Sequence, residues 1–249
     1  MSAQARAPRG ASRPITFHTH LGGSMPRLAA LLLILSACAL MPPARAADRY
    51  VEGRDYFLIT PPQATTVPPG KVEVMEVFSY GCPVCNTFQP TMEGLKRVLP
   101  SNAQIVLLPA SFNPSEDWPM FQRAYITAQV LGVADRAHQG IFDAVWKSGE
   151  LATTDPATHA LKSPQPSLEE AAKVYARLTG VKPETFIATA HSFSVDVRIK
   201  AADAQILAMQ VEGTPCLIVN GKYRLNNRAA VEGGPIELVK FLIAKESGH

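Results

Sequence analysis

Apolar and charged residues alternate through residues 71–78, a pattern that predicts a β-strand. Apolar residues then recur with helical spacing through residues 86–99, and a short apolar run at 104–109 is typical of a buried parallel strand. A strand, a helix and a strand in this order predict one βαβ unit. Before this unit, residues 55–60 predict a short strand that leads into a proline-rich loop at 61–70.

A long stretch with helical patterns follows the βαβ unit and is interrupted by turn residues. We expect helices at residues 119–131, 137–148, 167–178 and 183–192, which together form a helical insert. Another helix is predicted at 195–211. Its apolar stripe should face the sheet and consists of Val195, Ile199, Ala202, Ile206 and Met209.

The last part of the chain returns to β-structure. Residues 216–219 are β-prone, and the Asn220-Gly221 dipeptide that follows is a strong hairpin signal. An antiparallel pair of strands is therefore predicted to close the sheet. A terminal helix at 235–244 begins with proline, a residue that suits a first helical turn.

Residues 1–46 are predicted to be a targeting segment. The uncharged run at 28–40 is too short to span a bilayer but suits the core of a signal peptide, and small residues at 44 and 46 place cleavage before Ala47. Residues 35–38 also resemble the lipobox of bacterial lipoproteins, in which Cys38 would carry a lipid anchor. We expect a periplasmic protein, with a periplasmic lipoprotein anchored through Cys38 as the alternative.

Composition narrows the choice of partners. The 249-residue chain has a formal net charge of +3 and no run of Lys and Arg, so no nucleic-acid partner is expected. Its four cysteines include one Cys-x-x-Cys pair, and no second pair of ligands at zinc spacing accompanies it. We therefore expect neither a metal nor a cofactor, and we expect His138, His159 and His191 at the surface.

The Cys-x-x-Cys pair, Cys82 and Cys85, falls where the predicted strand meets the predicted helix. The partial positive charge and free N–H groups of a helix N-terminus favour a thiolate at Cys82. Cys85 lies one turn further on, where it can attack a mixed disulfide formed at Cys82 and release the substrate. Pro83 fits the first helical turn because it has no N–H to lose. This placement predicts the redox centre of a thioredoxin-fold enzyme.

Two other interpretations of the pair stay open from the spacing alone: half of a zinc site, or an inert structural disulfide. Cys216 is expected to be a small buried residue of a central strand. The alternative is a third thiol close enough to form a transient or regulatory disulfide.

The chain resembles the DsbA family of thiol:disulfide oxidoreductases across residues 56–245. Four features carry the resemblance: the strand and Cys-Pro-x-Cys at 76–85, the helical insert, Leu131-Gly132-Val133 within that insert, and Gly213-Thr214-Pro215 followed by 219–223. The resemblance implies an α/β thioredoxin fold, with a central mixed sheet flanked by helices and an inserted helical domain. The expected division is 50–111 and 195–249 for the thioredoxin domain and 112–194 for the insert.

The resemblance also implies roles for three residues outside the cysteine pair. The Thr214-Pro215 bond would be cis and would face the disulfide, and the backbone of Thr214 would pair with the substrate strand. Glu76 matches the buried acid that this family uses near the resolving cysteine, where it could relay a proton. The alternative for Glu76 is a strand-end carboxylate that reaches solvent, which we expect of Glu73 on the opposite face.

The implied activity is the introduction of disulfide bonds into unfolded or reduced exported proteins, with Cys82 as nucleophile, Cys85 as resolving cysteine and a DsbB-like membrane partner as oxidant. Three residues depart from the family pattern. Val84 stands where strongly oxidising members have His, and it predicts a higher Cys82 pKa and a disulfide that is less oxidising than the family extreme of about −120 mV but more oxidising than thioredoxin at about −270 mV. Thr214 stands where many members have Val and is also similar to the DsbC and DsbG isomerases, and the absence of a lysine at 105–108 predicts a Glu76 that is harder to ionise. The alternatives are a disulfide reductase or isomerase, and a non-enzymatic binding or chaperone module with a structural disulfide.

Overall fold

The central feature of the computed structural model is a five-stranded mixed sheet with the strand order β1-β5-β4-β2-β3. The structure describes residues 49–225 and 234–248, so the predicted targeting segment, including Cys38, lies outside the described residues. Within the described residues, no helix combines the length and the apolar character needed to cross a membrane. The strands are β1 (Tyr56–Leu58), β2 (Val72–Phe78), β3 (Ala103–Pro109), β4 (Cys216–Val219) and β5 (Tyr223–Leu225).

Strand β2 forms the middle of this sheet. It pairs parallel with β3 and antiparallel with β4, and all seven of its residues are buried. A strand that is covered on both faces needs helices above and below it, which the neighbouring parts of the sequence provide. Because β2 ends directly before the cysteine pair, this buried strand gives the pair a fixed position.

Seven α-helices accompany the sheet in the described residues, together with a single 3-10 turn at Pro114–Glu116. One of them has strong sequence signals at both ends: Ser167 and Glu170 form a capping box at the start of α4, and Gly180 ends that helix with a φ of 79°. The helices are α1 (Pro83–Val98), α2 (Trp118–Val130), α3 (Ala134–Trp146), α4 (Leu168–Thr179), α5 (Pro183–Ala190), α6 (Phe193–Ala208) and α7 (Pro235–Glu246).

The helices cover the two faces of the sheet differently. Helices α1 and α7 pack on one face, where Val74 and Leu217 meet Phe88 and Leu238. Helix α6 packs on the other face with its predicted stripe, in one apolar cluster with Met75. Full burial of each such side chain contributes about 1.5–3 kcal/mol. Helices α2–α5 form a third cluster, which includes Phe78 at the end of β2.

The predicted α/β class is confirmed, and the elements differ from their predicted bounds by a few residues. Helix α1 begins at Pro83, as expected from the placement of the cysteine pair at the helix N-terminus, and the Cys82 side chain caps it. Helix α3 begins at Ala134 rather than at residue 137, and this earlier start includes Asp135 in its first turn, where a negative charge is favourable.

Candidate active site

The candidate site lies where β2 passes into α1. Cys82 is the N-cap of α1, and its backbone N–H donates to the Ser79 carbonyl over 3.2 Å. Its Sγ accepts a hydrogen bond of 3.2 Å from the backbone N–H of Cys85. The unpaired N–H groups and the positive end of the helix dipole therefore surround this sulfur, as the sequence predicts.

This arrangement stabilises a thiolate at Cys82. A hydrogen bond from the Cys85 thiol, assisted by the backbone N–H groups of Cys85 and Val84, lowers the pKa of Cys82 to about 6, although burial opposes the shift. At neutral pH the sulfur is thus ionised, and the thiolate is the form that takes part in disulfide exchange. Cys82 has an exposed fraction of only 3%.

Cys85 has the opposite character. Its side chain is completely buried, and burial raises its pKa far above the usual value of a thiol, with the neighbouring Cys82 sulfur adding to the effect. Both thiols are free in this structure. The pair therefore consists of one acidic sulfur at the helix N-cap and one fully enclosed sulfur that keeps its proton.

The loop before β4 approaches the same sulfur from the sheet side. The Thr214-Pro215 bond is cis. The carbonyl oxygen of Thr214 lies 3.4 Å from the Sγ of Cys82, which donates to it as a thiol. Because Cys216 pairs with Val77 of β2, the antiparallel ladder holds this loop beside the cysteine pair.

Glu76 lies in the middle of β2 and is completely buried. Within the described part of the chain, neither of its carboxyl oxygens has a hydrogen-bond partner. Burial, followed by the negative charge of Cys82, raises the pKa of Glu76 to about 8. The carboxyl group is therefore mostly protonated at neutral pH, and a group with such a pKa can both give and take a proton.

A cavity of about 420 Å³ leads from Glu76 towards the surface. It is bounded by α1, β3 and the helices α2 and α3. Its lining includes His138 and Gln89 at the inner part and the exposed residues Glu93 and Lys96. The buried carboxyl group thus borders a space that reaches exposed residues, and neither cysteine lines this space.

The prediction for Glu73 is wrong. The residue does lie on the face opposite to Glu76, but its side chain has an exposed fraction of 1% and does not reach solvent. Its Oε2 accepts hydrogen bonds of 2.7 Å from both the backbone N–H and the hydroxyl of Thr66. The proline-rich loop folds over this end of the strand and supplies partners that local sequence patterns do not reveal.

The prediction for His138 is also wrong, since its ring is largely enclosed by aromatic residues. Its ring centroid lies 5.2 Å from those of Phe78 and Phe142, and burial lowers the pKa of His138 to about 4. His159 and His191 are exposed, as expected. Across residues 49–225 and 234–248, no cluster of three or more His, Cys, Asp or Glu side chains has the arrangement of a metal site.

Cys216 occupies the first position of β4 and is buried, with an exposed fraction of 1%. It belongs to the apolar cluster under α6 rather than to the surroundings of Cys82. Burial raises the pKa of Cys216 to about 12, which makes it a poor nucleophile at neutral pH. The expected burial of Cys216 in a central strand is confirmed by this position.

Comparisons with known proteins agree with this geometry. Residues 73–237 match the family model of the DSBA-like thioredoxin domain. A thiol:disulfide interchange protein DsbA from Pseudomonas aeruginosa is 34% identical over 219 residues, which cover 87% of this chain and 95% of the relative. A DsbA from Azotobacter vinelandii is 32% identical over 78% of this chain and 83% of the relative.

Solved structures give the same result. The oxidoreductase DsbA from Xylella fastidiosa has a TM-score of 0.70 at 30% identity and covers 80% of this chain and 99% of its own. The Pseudomonas aeruginosa DsbA has a TM-score of 0.67 at 32% identity, and the match covers 81% of this chain and 97% of its own.

The chain belongs to the DsbA-like thioredoxin family. The predicted thioredoxin fold with an inserted set of helices is thereby confirmed, since α2–α5 lie between the two parts of the sheet in sequence. As a DsbA-like protein, the chain is a thiol:disulfide oxidoreductase that exchanges disulfides with substrate proteins.

The sequence predictions missed the aromatic residues next to the cysteine pair. Tyr80, Trp118 and Trp146 surround the short link between β2 and Cys82, although the two tryptophans lie far from it in sequence. One signal was present in the sequence. Trp118 and Trp146 are the only two tryptophans of the chain, and each lies at or next to an end of a predicted helix of the insert. A pair of rare, large side chains at helix ends is a reasonable indication of a packing role.

Proposed function

We propose that this protein oxidises pairs of thiols in unfolded or reduced exported proteins through Cys82 and Cys85. The observation that carries the proposal is the difference between the two sulfurs: Cys82 is an acidic N-cap thiol with a pKa of about 6, and Cys85 is enclosed and strongly held as a thiol. A stabilised thiolate favours the reduced form of the protein, and this makes its disulfide a good oxidant.

The proposed exchange has two steps. A substrate thiolate attacks Sγ of Cys82, a substrate–Cys82 bond forms, and the Cys82–Cys85 bond breaks with its electron pair going to Cys85, which takes up a proton. A second substrate thiolate then attacks the substrate sulfur of this mixed disulfide and releases Cys82 as a thiolate. The substrate dithiol is oxidised to a disulfide, and the cysteine pair is reduced. If the second attack fails, Cys85 resolves the mixed disulfide instead.

Glu76 is the proposed source and acceptor of the Cys85 proton. Support comes from its burial, its pKa of about 8 and the electrostatic effect of Glu76 on the Cys85 thiol. The cavity with Glu93 and Lys96 among its lining residues offers a route by which Glu76 exchanges protons with solvent. The missing lysine at 105–108 is consistent with a carboxyl group that is hard to ionise.

Thr214 and Pro215 are the proposed contacts for the substrate backbone. The 3.4 Å approach of the Thr214 carbonyl to Cys82 supports a role in holding an extended segment against the reacting sulfur. Val84 is exposed and supplies no positive charge. We therefore propose that the Cys82–Cys85 disulfide is oxidising, with a reduction potential lower than that of family members with histidine at this position.

We further propose a periplasmic location after removal of residues 1–46, and reoxidation by a DsbB-like membrane partner. A lipid anchor at Cys38 is the alternative, and the mass of the mature N-terminus distinguishes the two. The proposed thioredoxin domain consists of 50–111 and 195–249, and the helical domain of 112–194. The position of α2–α5 between β3 and α6 supports this division.

The deciding experiment is the equilibrium reduction potential of the mature protein against glutathione, with Cys216→Ser as the matched control. A value above about −200 mV, equal in both proteins, is the expected result. A value near or below about −270 mV, the potential of thioredoxin, would overturn the oxidase proposal and favour a reductase or a structural disulfide. A potential that changes in Cys216→Ser would show that the third thiol takes part.

A further inference from the structure

The link between β2 and Cys82 consists of only Ser79, Tyr80 and Gly81, and a residue of the helical insert holds it by a hydrogen bond. The indole N–H of Trp146, at the end of α3, donates to the carbonyl oxygen of Tyr80 over 2.8 Å. A buried carbonyl needs such a partner, because an unpaired one bears the full cost of its desolvation. Trp146 therefore fixes the orientation of the peptide group that lies one residue before Cys82.

A second tryptophan covers the same link. A Cβ atom placed on Gly81 would lie 2.5 Å from Nε1 and 2.6 Å from Cδ1 of Trp118, closer than any real contact. The indole of Trp118, at the start of α2, thus lies directly against the backbone of the residue before Cys82. Glycine is required at position 81 because a side chain there would clash with Trp118. Its backbone conformation does not require glycine, because its φ is not in the left-handed region.

The side chain of Tyr80 adds a third attachment to the insert. Its hydroxyl oxygen lies 3.1 Å from Nδ1 of His138, within hydrogen-bond distance. Its ring makes edge-to-face contacts with Phe142, at a centroid distance of 4.9 Å, and with Phe78 at 5.2 Å. Such pairs are stabilising beyond the effect of their burial. Helix α3 thus holds Tyr80 through both its backbone and its side chain.

We propose that Trp146 and Trp118 are positioning residues for Cys82: by fixing the Tyr80-Gly81 link, they hold its sulfur in the N-cap geometry that stabilises the thiolate. The physical reason is that this geometry depends on short contacts of Cys82 with Ser79 and Cys85, both 3.2 Å long. A small rotation of the preceding peptide would lengthen them. The helical insert therefore tunes the chemistry of the thioredoxin domain, a role that rests on the proposed function of Cys82.

Trp146→Phe tests the hydrogen bond, because it removes the N–H and keeps an aromatic ring. The readouts are the pKa of Cys82, from the ultraviolet absorbance of its thiolate, and the equilibrium constant with glutathione. We expect a rise in the pKa by about one unit and a tenfold less oxidising equilibrium, which corresponds to a potential lower by about 30 mV.

Phe186→Leu is the matched control. Phe186 is fully buried in α5 and stacks on Tyr175 at 4.6 Å, so its truncation weakens the insert without touching the link. It should lower the melting temperature and leave the pKa of Cys82 unchanged. An unchanged pKa in Trp146→Phe, or an equal shift in Phe186→Leu, would overturn the proposal.

A second pair of variants tests Trp118 and does not depend on the folding of Trp146→Phe. Gly81→Ala introduces the clash with Trp118 and should raise the pKa of Cys82. Adding Trp118→Ala, which makes room for the methyl group, should bring the pKa of Cys82 part of the way back to its wild-type value. Trp118→Ala alone completes the double-mutant cycle. Strictly additive effects would show that the two residues do not act on each other, contrary to the proposal.

These experiments separate the two proposals. If the wild-type Cys82 has an ordinary thiol pKa and a potential near that of thioredoxin, the proposed function itself fails. If the wild-type values are as expected and the tryptophan variants leave them unchanged, only the positioning role fails.

Discussion

Glu73, near the start of β2, and Glu76, further along the same strand, are two buried carboxyl groups in very different surroundings. Glu73 accepts two hydrogen bonds of 2.7 Å from Thr66. Glu76 has no hydrogen-bond partner among the described residues and lies beside the cavity below the cysteine pair. Both have exposed fractions of 1% or less, so burial does not distinguish them.

The comparison teaches that the partners of a buried acid decide its role. A carboxylate that accepts well-formed hydrogen bonds stabilises the fold and ties distant segments together. A carboxyl group without partners destabilises its charged form, so its pKa rises into the range where proton transfer is useful. The start of β2 therefore carries a paired acid that stabilises the fold, and its later part carries the acid of the proposed proton relay.

The largest expected effect is on stability at the start of the strand. Glu73→Ala removes the acceptor of two charge-assisted hydrogen bonds, and we expect a loss of about 3 kcal/mol in the free energy of unfolding. The reduction potential should not change, because Glu73 lies on the face of β2 opposite to Glu76. Urea unfolding and glutathione equilibration measure the two quantities. A shifted potential with unchanged stability would reverse the comparison.

The pH dependence of stability should show the effect of Glu76 in the reduced protein. Its pKa rises from 4.5 to about 8 on folding, so its contribution to stability is complete below pH 4.5 and is lost as the pH rises towards 8. Cys82 acts in the opposite direction, since its pKa falls from 9.0 to about 6 on folding. Between pH 4.5 and 6 the Glu76 contribution should fall by about 2 kcal/mol, at about 1.4 kcal/mol per pH unit. His138, whose pKa falls from 6.5 to about 4 on folding, contributes a slope of opposite sign in this range, so the Glu76 contribution is measured as the difference between the wild type and Glu76→Gln.

Unfolding by urea at several pH values under reducing conditions measures this difference. Glu76→Gln should gain about 2 kcal/mol of stability relative to the wild type between pH 4.5 and 6, whereas Glu73→Gln should leave the Glu76 contribution in place. Between pH 6 and 8 the contributions of Glu76 and Cys82 should nearly cancel in the wild type. The same pH profile in Glu76→Gln and the wild type would mean that Glu76 does not contribute.

Sequence patterns predicted the elements well because those patterns are local. The strand at 216–219 has the predicted bounds, and the capping position of Cys82 follows from three neighbouring residues. What could not be predicted depends on contacts between distant residues. Tyr80 meets His138, which is 58 positions away, and Trp146, which is 66 positions away.

The error for Glu73 has the same origin. Alternation along β2 correctly separates the faces of Glu73 and Glu76, but it cannot show which loop covers each face. The loop at 61–70 contains five prolines or glycines and has no periodic pattern. The spacing of its residues therefore cannot predict that the loop covers Glu73. Resemblance to the DsbA family implied a buried Glu76, whereas no such resemblance was available for Glu73.

A smaller effect is expected on the rate of exchange. Glu76→Gln keeps the size of the side chain but cannot release or accept the Cys85 proton, so reduction of the mixed disulfide by Cys85 should slow about tenfold near pH 7. Solvent in the cavity supplies the remaining proton transfer. Stopped-flow measurement with a peptide disulfide gives the rate, and Glu73→Gln is the matched control. Equal rates in all three proteins would remove the proton-relay role.

The smallest expected effect comes from Thr66→Val, which removes one of the two donors to Glu73 and retains the backbone N–H. The loss of a single hydrogen bond to a carboxylate near the surface should lower the free energy of unfolding by about 1 kcal/mol. Exchange rate and potential should stay at wild-type values, because Thr66 touches only the acid at the start of β2. If Thr66→Val were neutral and Glu73→Ala still costly, the stabilisation would come from packing of the Glu73 side chain, and the contrast between a paired and an unpaired acid would lose its basis.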